Sequence, residues 1–155
     1  MPSNPKSTPL AGDKLEAVEQ AYNTNLAAEF HVLSMLHRLG AEACLSLGNK
    51  KAVDITVVRS EGVAYTIDVK GVAGAYDWPA DNVKVPKHNR HFLVLVSFEG
   101  KIHDPAQLPS VWVVPAQEIE PFRRVFKTRT VISRAWVRAS GEKYRNGWNL
   151  ILSAS

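Results

Sequence analysis

Apolar and polar residues recur along this chain with two different periods, and the changes of period mark out its elements. Over residues 13–39 the period is helical: Leu26, Val32, Leu33 and Leu36 recur three and four apart, Asp13-Lys14-Leu15-Glu16 has the form of a capping box, and Gly40 supplies a stop. Asn23-Thr24-Asn25 are poor helix formers, so a kink or a fresh N-cap is expected there. A short strand follows at residues 42–47, then a turn through Gly48-Asn49-Lys50-Lys51. Within residues 52–71 the runs ITVV and VAYTI are β-branched and aromatic, and Ser60-Glu61-Gly62 between them is turn chemistry, so the stretch reads as a β-hairpin.

The rest of the pattern is less regular. Residues 72–90 carry scattered Gly, Pro and Asn and read as a long loop, a length that compact domains tend to reserve for function. HFLVLVSF (91–98) and VWVV (111–114) are nearly continuous apolar runs, as expected of central strands covered on both faces. PAQEIEPF begins with helix-like chemistry that Pro121 should interrupt. Residues 130–138 alternate weakly, like an edge strand, and Tyr144, Trp148 and Ile151 predict a terminal helix.

Composition narrows the class. The chain has 155 residues and 45% hydrophobic content, which suits a single domain with a sizeable core; residues 1–12 read as a disordered tail and 13–155 as the domain. That proline-rich start has no long apolar run, so neither a signal peptide nor a membrane span is expected. The lone Cys44 excludes an intrachain disulfide and points to a cytoplasmic setting; its ACLSL context places it in the core. Charge is uneven: residues 1–83 hold 7 Lys/Arg and 10 Asp/Glu, whereas residues 84–155 hold 12 and 5. An acidic half followed by a basic half suits a metal site beside an anionic polymer, or ordinary solubilising charge.

The candidate chemistry lies in the hairpin. If residues 60–62 form a three-residue loop, Arg59 faces Val63, and the register places Asp54 opposite Asp68, with Lys70 on the same face. Two carboxylates directly across a strand pair repel, so a cation between them is expected. Glu29 falls on or beside the inward stripe of the first helix and needs a partner, for which a cation held by the hairpin is one candidate; His31 and His37 read as solvated. In the loop, Tyr76 and Trp78 could cap the core or stack on bases, and Lys84, Lys87, His88 and Arg90 could meet phosphates or stay in water. CxxC, HExxH, Gly-rich phosphate loops and Ser nucleophile elbows do not occur.

Taken in order, NLAAEF with Glu29, VDITVV with Asp54, and TIDVK with Asp68 and Lys70 resemble the PD-(D/E)xK nuclease superfamily. The similarity is greatest to small archaeal Holliday-junction-resolvase-like members and extends through FLVLVSF and VWVVPAQEI. Val53 stands where the motif has proline, and Gly71 follows the lysine where several relatives carry a small hydroxyl residue. The resemblance implies a restriction-endonuclease-like α/β fold, a mixed central sheet flanked by helices. It also implies phosphodiester hydrolysis in DNA, dependence on Mg²⁺ with Mn²⁺ as a substitute, and a homodimer. Asp54, Asp68 and Lys70 match the motif positions and Glu29 the helix glutamate; Asp54, Asp68, Glu29 and the Val69 carbonyl are the expected metal ligands. The structural alternative is a buried Lys70–Asp68 ion pair with Asp54 in a turn hydrogen bond. Two functional alternatives remain. One is a non-catalytic nucleic-acid-binding module using Lys84, Lys87, Arg90 and the Arg-rich residues 123–138, and the other an interaction protein within a larger assembly.

Overall fold

The computed structural model describes residues 11–46, 53–59 and 62–153. The turn at 48–51, residues 1–10 of the expected tail, and Ser60 and Glu61 of the hairpin loop lie outside them. Helix α1 (Ala11–Arg38) runs as one element, so the break expected at residues 23–25 does not form. Packing explains this: Thr24 is buried against Gly71 of the sheet, and its hydroxyl is satisfied inside the helix by the Gln20 carbonyl at 2.9 Å. The helix starts ahead of Asp13, so Ala11 and Gly12 belong to it and not to a tail. It stops at Gly40, whose φ of +84° is the left-handed conformation that glycine adopts without a Cβ penalty.

Strands β1 (Glu42–Leu45), β2 (Ile55–Val58), β3 (Ala64–Val72), β5 (His91–Ser97) and β6 (Ser110–Pro115) form the central sheet in the order β1-β2-β3-β5-β6. Only β3 and β5 run parallel, so the sheet is mixed, as expected. A second, three-stranded sheet has the order β4-β8-β7, from β4 (Trp78–Pro79), β7 (Arg123–Val125) and β8 (Thr130–Ile132). Helices α2 (Arg134–Ser140) and α3 (Asn149–Leu152) complete the chain.

Side-chain alternation on the strands divides the core into two layers. Tyr65, Ile67, Val69, Phe92, Val94 and Val96 face α1 and meet its Ala28, Val32 and Leu36, with Ile151 of α3 on the same side. Leu93, Leu95, Trp112 and Val114 face the other way, onto Trp78, Ile119, Phe122, Ile132 and Val137. Every side chain of β5 is therefore buried, which is why HFLVLVSF lacks a period. Trp78 is fully buried, donates to the Val96 carbonyl at 2.9 Å and meets Trp112 edge to face.

Several expectations need correction. The loop at 72–90 contains β4, and its first residue, Val72, ends β3. β6 is covered on both faces but is the outermost strand. The PAQEIEPF stretch forms two single 3₁₀ turns, Ala116–Glu118 and Glu120–Phe122, because Pro121 cannot continue the first. Residues 130–138 divide into β8, central in its small sheet, and α2, capped by the Ser133 hydroxyl accepting from the Trp136 N–H. The terminal helix is only Asn149–Leu152. Cys44 is exposed, since it shares a sheet face with Thr56 that neither α1 nor the small sheet covers. His31 is half-buried, and burial lowers its pKa; His37 is exposed as expected.

Candidate active site

The site forms where β3 outruns β2. Ile55 pairs with Ile67 in the last step of their ladder, and β3 continues to Val72 with only β5 beside it. Thr66 N–H donates to Arg90 and the Val72 carbonyl accepts from Phe98, so even-numbered backbone groups of β3 face β5. Odd-numbered ones, the Val69 carbonyl among them, therefore lie along the edge that β2 leaves uncovered. Asp54 bends away at this point. Its N–H still reaches the Ile67 carbonyl at 2.8 Å, and its carboxylate accepts the Val69 N–H at 2.6 Å, in the place of a ladder bond. Arg59 donates to Val63 at 2.7 Å, so the register expected of the hairpin holds, and continuing it sets Asp54 opposite Asp68.

The two carboxyls meet. Asp68 is 2% exposed, and its pKa is pushed up to about 6. Burial is the largest cause; Lys70 opposes it, and Asp54, by repulsion and a shared hydrogen bond, adds to it. Lys70 lies 2.8 Å from Asp68 and donates to the Asn82 side chain at 3.1 Å. Glu29 enters from α1 on the other side of the sheet, half-buried, with its pKa raised by burial and by Asp54, against the pull of Lys70. A cleft of about 1200 Å³ opens beside the pair, lined by Glu29, Asp54, Val69, Lys70, Tyr76, Asn82 and Arg129, with Asp68 buried behind Lys70.

Gly71 is what lets α1 come this close. A Cβ at this position would lie 2.7 Å from the Ala28 methyl and 3.1 Å from the Thr24 carbonyl oxygen. The absence of a side chain beside Lys70 thus seats the helix that carries Glu29.

Of the residues expected in the site, Glu29, Asp54, Val69 and Lys70 line one cleft, and Asp68 lies buried behind it, in contact with Lys70. Lys84, Lys87, His88 and Arg90 do not line it; they lie exposed near the start of β5, with His88 Nδ1 accepting the Arg90 N–H. Tyr76 is 68% exposed at the rim of the cleft, whereas Trp78 belongs to the core. Sequence reading missed Asn82 and His91, and took Arg129 only as part of the Arg-rich residues 123–138, not as a wall of this cleft. His91 is buried, hydrogen-bonded to Thr66 at 2.7 Å and held below the ordinary imidazole pKa by burial; it senses the charges of Asp54 and Lys70. No local motif marks any of the three.

The contacts of Asp68 with Lys70 and of Asp54 with Val69 are also those of the structural alternative. The energetics of Asp68 separate the two. An unfolded aspartate titrates near 3.8, so between that pH and about 6 the unfolded chain has released a proton that the folded chain keeps. Stability of the metal-free protein should therefore fall as pH rises through this window and level off above it, by on the order of 3 kcal/mol at most. Asp68→Asn should lose that fall, so its melting temperature should gain on wild type as pH rises; parallel curves for the two proteins would show that the carboxyl stays ionised throughout.

No family model matches the chain, and no curated protein matches it. Among solved structures it is similar to a bacterial homing endonuclease, I-Ssp6803I, at 16% identity and a TM-score of 0.48 over 84% of this chain and 89% of that one. This is a distant overlap of architecture that says nothing of chemistry here.

Proposed function

We propose that this protein is a metal-dependent endonuclease of the PD-(D/E)xK type, hydrolysing phosphodiester bonds in DNA on a restriction-endonuclease-like core. The observation that carries the reading is the meeting of Asp54, Asp68 and Lys70 at an open strand edge beside a large cleft. A buried carboxyl pushed against a second carboxyl is costly, and a divalent cation relieves that cost.

The donor set suits Mg²⁺ or Mn²⁺. Such an ion takes one or two carboxylates and fills its other positions with waters and substrate phosphate oxygens. Asp54 and Asp68 would hold it, with the Val69 carbonyl beside them and Glu29 reaching it through a water. When bound, the ion supplies charge neutralisation at the phosphate and a water acidic enough to attack near neutral pH. Lys70 is pinned between Asp68 and Asn82, so its ammonium is already oriented when substrate arrives. From there it aligns the attacking water and stabilises charge building on the phosphate oxygens. The homodimer expected from the sequence belongs to the same proposal, since one cleft cuts one strand at a time.

One observation favours the alternative of a non-catalytic nucleic-acid-binding module. Among the described residues, no three His, Cys, Asp or Glu side chains converge closely enough to hold a metal ion. Supercoiled, linear and branched DNA incubated with Mg²⁺, with Mn²⁺ or with chelator distinguishes the two. We expect cleavage with either metal and none with chelator, fastest on branched DNA; binding without cleavage on every substrate would favour the module.

A further inference from the structure

The β7–β8 hairpin is built as more than a covering for the core. Residues 121–141 contain six Lys/Arg and no Asp or Glu. Arg134 and Arg138 are engaged by Glu99, and Arg123 by Glu120. Arg124, Lys127 and Arg129 have no acidic partner among the described residues, and all three are exposed. Apolar surface accompanies them: Val125 is 76% exposed, and Phe126 and Trp136 are each 43% exposed. Exposed aromatics among cations that no carboxylate engages stabilise no core and suit a nucleic-acid surface.

The hairpin is also fixed beside the cleft. Trp78 of β4 pairs with Ile132 of β8, the Asp81 carboxylate accepts the Thr130 N–H at 2.6 Å, and the Thr130 carbonyl accepts the Ala80 N–H. Asn82, next in the chain, donates no slack to this arrangement: its side chain holds Lys70, and with Arg129 it lines the cleft.

We infer that the exposed tip of β7–β8, with Trp136 of α2, is a duplex-DNA-binding arm that holds a backbone phosphate at the Lys70 cleft. Cations grouped on an exposed tip suit the duplex, which carries about twice the phosphate charge per unit length of a single strand, whereas the deep, narrow major groove of A-form RNA shuts such a tip out. Capture of single strands would need open aromatic faces for base stacking. Here the Arg124 guanidinium lies over both rings, 5.0 Å from Phe126 and 5.2 Å from Trp136, and occupies one face of each. Binding by the arm stands without catalysis; delivery to Lys70 rests on the nuclease reading above.

Fluorescence anisotropy of a labelled short duplex with the full chain, in chelator, tests the arm. Arg124→Gln/Lys127→Gln should fold with a melting temperature within a few degrees of wild type, bind the duplex roughly tenfold more weakly and lower the slope of log affinity against log salt by about two. The same affinity and slope as wild type would overturn the inference, as would tighter wild-type binding to single-stranded DNA or double-stranded RNA. Because no metal is present, this result is independent of the nuclease reading: intact binding with no cleavage on adding Mg²⁺ sinks that reading and leaves the arm.

Discussion

Replacing Asp68 by asparagine is expected to slow metal-dependent cleavage by orders of magnitude while leaving the metal-free protein at least as stable as wild type at neutral pH. Asparagine keeps the shape and removes the charge. In the metal-free fold that charge is a liability, buried and set against Asp54, with Lys70 offsetting only part of the cost. In the cleaving complex it would hold the cation and orient Lys70, so its loss should lower the rate by about 10²–10³-fold, the range typical of removing one preorganised electrostatic group. Lys70→Ala should give a comparable loss of rate. Activity lost while stability is held or gained is the signature of a group kept for function. A structural ion pair predicts the reverse, a lower melting temperature in Asp68→Asn because Lys70 is left without its carboxylate. Cleavage assays and thermal melts on one protein preparation decide between them, and full activity in Asp68→Asn would reject the assignment.

The second large effect is expected at Gly71. Its Cα lies against Ala28 and the Thr24 carbonyl so closely that even a methyl group needs one partner to move. Backbone cannot yield as a flexible side chain can, so Gly71→Ala should destabilise by about 1–3 kcal/mol and Gly71→Val by more. At about 2–4 °C per kcal/mol for a chain of this size, the loss is visible in a thermal melt. Cleavage should fall further than stability, because moving α1 outward carries Glu29 away from Asp54 and Lys70. Ala28→Gly removes the other half of the clash. By itself it should cost about 1 kcal/mol for glycine in a helix, yet combined with Gly71→Ala it should recover part of the loss. Additive losses in the double variant would show that the two sites do not touch.

The hairpin was the most legible part of the chain because strand alternation is a local rule. Once Arg59 faces Val63, each pair back along the ladder follows, and Asp54 comes to Asp68 with no knowledge of the rest of the fold. Glu29 was legible for a similar reason, as a carboxylate placed against the apolar stripe of a helix. Asn82, His91 and Arg129 were not. Each reaches the site through contacts distant in sequence: Asn82 and Arg129 through the pairing of β4 with β8, and His91 through the parallel pairing of Thr66 with His91. Cys44 was misplaced because an apolar neighbourhood in sequence does not say which strand face the second layer will cover.

The amino-acid sequence by itself determined the helix and its stop, the register of the hairpin, and the acids and lysine that register brings onto one face, because these depend on periods of 3.6 and 2 and on glycine's freedom at positive φ. Only the tertiary structure decided that β3 outruns β2 to leave an open edge, that Gly71 admits α1 to it, and that a basic hairpin from the far end of the chain is moored at its mouth. Those outcomes depend on which surfaces pack together, and a choice among surfaces is made by the whole chain at once.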